Sequence, residues 1–181
     1  MALDPEWSVP NSSRVLAVLL AMCASLPAPL ALAQNPGAIS AATLQRLQEL
    51  LVSSPLLEPT MGVVEQAQYV ASAQEALSQV PGSKPSGIES PTDATAAVES
   101  ALALASSAVV VELVSEPPGA VVSYRRLIDS DAALLQATTN DTISVAPALY
   151  LFMAANPRSG QTDSLRVACA TQCRVKFVFP P

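Results

Sequence analysis

Few side chains in this chain are spaced to do chemistry. Asp129-Ser130-Asp131 puts carboxylates at alternate positions, a spacing that lets both reach one hard cation. The calcium-loop pattern then fails. Its fifth position is Ala133, its glycine is missing and its twelfth position is Asn140, so a solvated loop is expected. Arg125-Arg126 beside Tyr124 offers two guanidinium groups to an anionic polymer. Consecutive strand residues point to opposite faces, so a surface pair meeting Asp129 or Asp131 is the plainer expectation. Ser83-Lys84 sits in Pro81-Gly82-Ser83-Lys84-Pro85-Ser86-Gly87, which has linker composition and would not hold a nucleophile in place. A carboxylate-dependent hydrolase acting on cell-wall glycans would need two carboxylates on rigid elements facing one cleft. Glu112 and Asp163 are the strand carboxylates available, and their spacing does not bring them together.

The chain has no histidine. That removes Ser-His-Asp and Cys-His nucleophiles, imidazole general bases and histidine-ligated zinc. The formal net charge of −6 argues against a nucleic-acid partner, which needs basic patches to displace counterions. No catalytic residue, metal or cofactor is assigned, and a non-enzyme is expected.

The elements that would position these groups fall into two parts. Residues 34–105 read as a helical, proline-interrupted segment, with Arg46 and Lys84 against seven acidic residues. Ile39–Val52 has Ala41, Leu44, Leu47 and Leu51 at helical spacing, with Ser40 placed to cap. Thr60–Val80 reads as a second helix, with Val63, Val70 and Leu77 recurring every seven residues. Packing on the other helix or on the sheets is expected, and a partner-binding coiled coil is the sharper alternative. Residues 81–90 read as a linker, and Ser90-Pro91-Thr92-Asp93 as the start of a third helix. Residues 106–181 balance six basic against six acidic residues, which supports a boundary near Ala105.

In that second part six of the seven residues from Ala108 to Val114 are apolar and most of them β-branched, a run that fits a largely buried pleated surface. Pro117 and Pro118 stop it, and Gly119 tolerates the positive φ of a type II turn. Ala120–Ile128 resumes an extended pattern, so the whole reads as hairpin-like. Asp141–Val145, Ala148–Ala155, Thr162–Cys169 and Cys173–Phe179 follow as strands, the last two with one face in and one out. The expected fold class is α+β, with a signal and short helices before a small antiparallel β-sandwich.

Ser115-x-Pro117-Pro118-Gly119-Ala120-x-Val122, with valines before it, resembles the opening of a PEGA domain. The similarity extends to Thr138-Thr139 and to Pro147-Ala148-Leu149-Tyr150, covering about Val109–Phe179. Pro118 stands where the family has glutamate, the usual glycines after the second strand are absent, and Tyr124–Thr139 is long. The resemblance implies a small β-sandwich of the kind found in bacterial and archaeal envelope proteins, and it carries no catalytic residues over.

Val15–Ala24 is a continuous apolar run after Arg14, followed by Ala31-Leu32-Ala33 before Gln34. This is the layout of a secretory signal peptide over residues 1–33, with cleavage after Ala33. An uncleaved anchor and a lipoprotein built on Cys23 are the alternatives. Asp4 and Glu6 leave the region before the run without net positive charge, and a start nearer Val9 or Val15 would account for that. Cleavage would leave no membrane span and would place the protein in the periplasm or outside the cell.

Export also bears on Cys169 and Cys173, which bracket Ala170-Thr171-Gln172. A disulfide is expected there, where such bonds persist, closing the end of a hairpin and pinning its register. Two buried free thiols are the alternative, and no third ligand completes a metal site. The function expected is that of an exported, non-catalytic envelope protein, binding a protein or a cell-wall polymer through its sandwich. The alternatives are an accessory subunit docking a larger envelope machine through its helices, or the wall hydrolase above.

Overall fold

The computed structural model describes residues 39–83 and 85–180. The signal segment, Cys23, the Ala33/Gln34 cleavage site, Lys84 and Pro181 lie outside them. The described chain is mixed α+β, three helices followed by seven strands in two mostly antiparallel sheets.

The helices start where the sequence supplies caps. In α1 (Ala41–Val52) the Thr43 N–H donates to Ser40 Oγ at 3.1 Å. In α2 (Val63–Ser78) the Gly62 N–H donates to the Glu65 carboxylate at 2.9 Å. In α3 (Pro91–Ala105) the Asp93 N–H donates to Ser90 Oγ at 3.1 Å, with Pro91 at the first position, where its missing donor costs nothing. Asp93 accepts from the Ser90 hydroxyl at 2.7 Å, rather than reaching back to the cap amide.

Together the helices bury Leu47, Leu50, Leu51, Tyr69, Ala73, Leu77, Val98 and Leu102 in one cluster. The buried stripe of α2 is Tyr69, Ala73, Ala76 and Leu77, and Val63 is 83% exposed. Of the row Val63, Val70 and Leu77, Leu77 is buried in this cluster and Val70 packs against it, while Val63 is the first residue of the helix and lies outside it. Alanines at 73 and 76 let the helix axes approach. A buried trio of hydroxyls, Thr95 with Ser54 at 2.8 Å and with Tyr69 at 3.0 Å, satisfies the polar groups inside this layer. The proline- and glycine-rich segment before α3 is tied down, because Ile88 is buried and its carbonyl accepts from Gln74 Nε2 at 2.8 Å.

The strands are β1 (Val109–Glu116), β2 (Val121–Arg126), β3 (Leu135–Thr138), β4 (Asp141–Val145), β5 (Ala148–Ala155), β6 (Thr162–Cys169) and β7 (Cys173–Val178). One sheet has the order β4-β1-β7, the other β3-β2-β5-β6. Val111, Leu113, Val175 and Phe177 from the first and Val122, Tyr124, Phe152 and Ala154 from the second share one buried cluster. The helices cover the far side of the second sheet, where Leu149 and Ala170 complete their core. Strand β5 is consequently covered on both sides over its first residues, Ala148 to Tyr150 being buried without alternation. The described residues all belong to one compact unit. Among the described residues, no helix is long and apolar enough to cross a membrane.

Three expectations about the strands need correction. β1 and β2 are not a hairpin, because they belong to different sheets. The Pro117-Pro118-Gly119-Ala120 turn is a corner between sheets, with Gly119 at φ +91° and Ala120 buried. Its polar groups are held by two buried hydroxyls. Ser115 Oγ donates to the Pro117 carbonyl at 2.7 Å and lies 2.7 Å from Thr139 Oγ1, which accepts from the Gly119 N–H at 3.0 Å. β6 and β7 are not a hairpin either. β6 pairs with β5, and β7 runs parallel to β1 with Val111 opposite Cys173. Finally, β3 lies inside the stretch expected to be a long connection, because its residues are mostly exposed and carry no alternation.

Phe152 is fully buried between the sheets, whereas Val178 is 59% exposed. Phe152→Ala should lower the unfolding free energy by about 3–5 kcal/mol, and Val178→Ala should change it by no more than about 0.5 kcal/mol. Urea denaturation of both variants checks the contrast.

Candidate functional site

A group of charged and aromatic side chains lies where β2 ends. A cleft of about 340 Å³ opens there, between the start of the β2–β3 connection and the end of β4. Tyr124, Arg125 and Arg126 come from β2. Asp129, Ala132 and Ala133 come from the connection, and Leu135 from the start of β3. Ser144, Val145 and Ala146 lie at the end of β4, and Tyr150 comes from β5.

Register brings these residues together. Arg126 lies opposite Tyr150 and Tyr124 opposite Phe152 in the β2–β5 ladder. The Tyr124 ring stacks on Phe152 with centroids 5.6 Å apart and meets Tyr150 edge-on at 6.3 Å. The Tyr150 hydroxyl donates to the Ala146 carbonyl at 3.2 Å. Burial pushes the Tyr150 phenol up to about 12, so it stays protonated near neutral pH.

Beneath the cleft lies a carboxylate that sequence reading missed. Glu99, on α3, is 1% exposed. One carboxylate oxygen accepts from the Leu149 N–H at 2.8 Å, and the other is ion-paired with Arg126. Arg126 also reaches Asp129 at 3.4 Å, as anticipated for one of the arginines. Its Nε is buried and makes no hydrogen bond among the described residues. Burial raises the Glu99 carboxyl above its ordinary range, opposed by the bonds from Arg126 and Leu149. Burial alone would lower the Arg126 guanidinium, but the bond to Glu99 and the charges of Glu99 and Asp129 together outweigh it and hold the group above its ordinary range. The signal that would have found Glu99 is its position in Ala97-Val98-Glu99-Ser100-Ala101-Leu102, one charge in the apolar stripe of a helix. A charge there demands a partner.

Arg125 donates to the Ser130 carbonyl. Both arginines line the same cleft, although alternation was expected to separate them. Arg126 is the last residue of β2, and the strict alternation of a ladder ends with it. The other candidates stay apart. Asp129 turns to Arg126, Asp131 accepts from Ser130 Oγ at 3.2 Å, and no group of metal-ligating side chains occurs among the described residues. Glu112 pairs with Arg174 across β1 and β7 at 3.4 Å, and Asp163 accepts from the Ser164 N–H on the other sheet. Cys169 and Cys173 are free thiols with sulfur atoms 3.2 Å apart.

Comparison with family models, with curated proteins and with solved structures gives no match. The chemistry open to the cleft is therefore argued from its own groups, which are two guanidiniums, one carboxylate and two phenols.

The raised pKa of Glu99 has a definite sign in stability. Folding makes this carboxyl hold its proton more tightly than the unfolded chain does. Its contribution to stability is thus largest below the ordinary carboxylate range and falls as pH rises through the raised value. The difference in urea midpoint between the native protein and Glu99→Gln, followed from roughly pH 4 to pH 7, should shift against the native protein as pH rises. A difference that grows in its favour would refute this assignment.

Proposed function

We propose that this is an exported, non-catalytic envelope protein that binds an acidic polymer of the cell wall at the cleft beside Arg125 and Arg126. The cleft itself carries the proposal, with two guanidinium groups fixed by ion pair and hydrogen bond along one wall and two tyrosines behind them. Guanidinium N–H groups in a fixed fork suit carboxylates and phosphates. Arg126 is committed to Glu99 and Asp129, which leaves Arg125, bonded among the described residues to the Ser130 carbonyl, as the group that would meet the ligand. Tyr150 and Arg126 do not titrate near neutral pH, which suits recognition rather than proton transfer. Export rests on the apolar run at Val15–Ala24 and the Ala31-Leu32-Ala33 site, and the envelope setting on the PEGA-like turn at Pro117–Ala120.

A second role, docking onto a larger envelope assembly through the helices, is favoured by one observation. Val63 and Val64 at the start of α2 are 83% and 70% exposed.

Protein recovered from the extracytoplasmic fraction of expressing cells should begin at Gln34 and co-sediment with insoluble cell-wall polymer in low salt. Arg125→Ala should bind about ten-fold more weakly, the loss expected for one charge-assisted hydrogen bond, and added salt should weaken the native protein too. Equal sedimentation of the variant would rule out the cleft, and full-length chain in the cytoplasm would rule out export.

A further inference from the structure

The two cysteines face each other at a corner between the sheets. Cys169 ends β6 in one sheet, opposite Ala148, and is fully buried. Cys173 begins β7 in the other sheet, opposite Val111, and is partly exposed. Their sulfur atoms, 3.2 Å apart, are in hydrogen-bond contact, where a disulfide would need about 2.05 Å. Thr171 and Gln172 of the loop between them are exposed. That loop walls a second cleft, of about 430 Å³, whose opposite side is Ala105–Val110 with Leu44 and Gln48.

We propose that Cys169 and Cys173 react with small peptide disulfides by thiol–disulfide exchange in a fixed order, Cys173 first and Cys169 second. Access sets the order, because a molecule arriving from solvent meets Cys173 and cannot touch Cys169. The contact between the sulfurs works the same way, easing Cys173 toward thiolate and holding the proton on Cys169. In the first step the Cys173 thiolate attacks one sulfur of R–S–S–R, the external bond breaks, and RS⁻ leaves with the electron pair. In the second, Cys169 gives up its proton and attacks Cys173 Sγ, expelling the second RS⁻. Two cysteine thiols and one external disulfide become one internal disulfide and two RSH, a two-electron transfer. The bond formed would tie β6 of one sheet to β7 of the other, and would not fix a hairpin register.

The test uses the reduced full chain carrying Cys23→Ser, so that only this pair reacts, with oxidised glutathione as the probe. The parent should lose two hydrogens and keep no adduct by intact mass. Adding Cys169→Ser should leave one stable glutathione on Cys173. Adding Cys173→Ser should make the folded protein react at least about ten-fold more slowly than the Cys169→Ser protein, with the difference vanishing in urea. Acid quenching of the parent during the reaction covers the case of a variant that does not fold, and the trapped glutathione should sit on the Cys173 peptide. Glutathione trapped first on Cys169, equal rates for the two folded variants, or a parent that keeps both thiols would each overturn the proposal.

Discussion

One buried carboxylate joins the layers of this protein. Glu99 lies on a helix, takes a hydrogen bond from the backbone of β5 and pairs with a guanidinium at the end of β2. An ion taken so far out of water is costly unless its oxygens are all engaged. Both are, and each engagement comes from a different strand of the same sheet. The helical layer therefore cannot slide along that sheet without leaving a charge unsatisfied. The apolar cluster that Leu102 of α3 shares with Leu149 of β5 tolerates small shifts, whereas the carboxylate does not.

The cleft inherits its shape from that constraint. Because Arg126 is held from behind by Glu99 and at its side by Asp129, the β2 terminus is fixed, and Arg125 and Tyr124 are fixed with it. At the other end of β2, the corner at Pro117–Gly119 is held by the buried Ser115 and Thr139 hydroxyls. Two small sets of polar bonds, one joining the helices to the second sheet and one at the corner between the sheets, thus sit beside the apolar clusters. The exposed pairs Glu112–Arg174 and Glu116–Lys176 across β1 and β7 are about half accessible, so they add little to stability.

Much of the local structure was legible, because local signals act over a few residues. Ser40 and Ser90 cap the helices they were expected to cap, and Gly119 takes the positive φ that a turn after proline needs. Strands β1 and β7 follow their alternation, because one face of each is solvated and the other packed. The assignment of strands to sheets was not legible. Nothing in Glu116–Ala120 or Ala170–Gln172 separates a hairpin from a corner, since both need only a short break. β3 was missed because a mostly exposed edge strand has no apolar face to advertise it. The cleft was half legible. Arg125, Arg126 and Asp129 stood out as charges, but Glu99 lies 27 residues before its arginine, and only the packing of α3 on the second sheet brings the two together.

The claim that Glu99 and Arg126 act as one clasp between layers is tested most directly by a double-mutant cycle. Unfolding free energies of the native protein, Glu99→Gln, Arg126→Met and the double variant would be measured by urea denaturation near neutral pH. Coupling of about 1–3 kcal/mol, with the double variant less destabilised than the sum of the singles, is the predicted result. Single effects that add to within about 0.5 kcal/mol would contradict it.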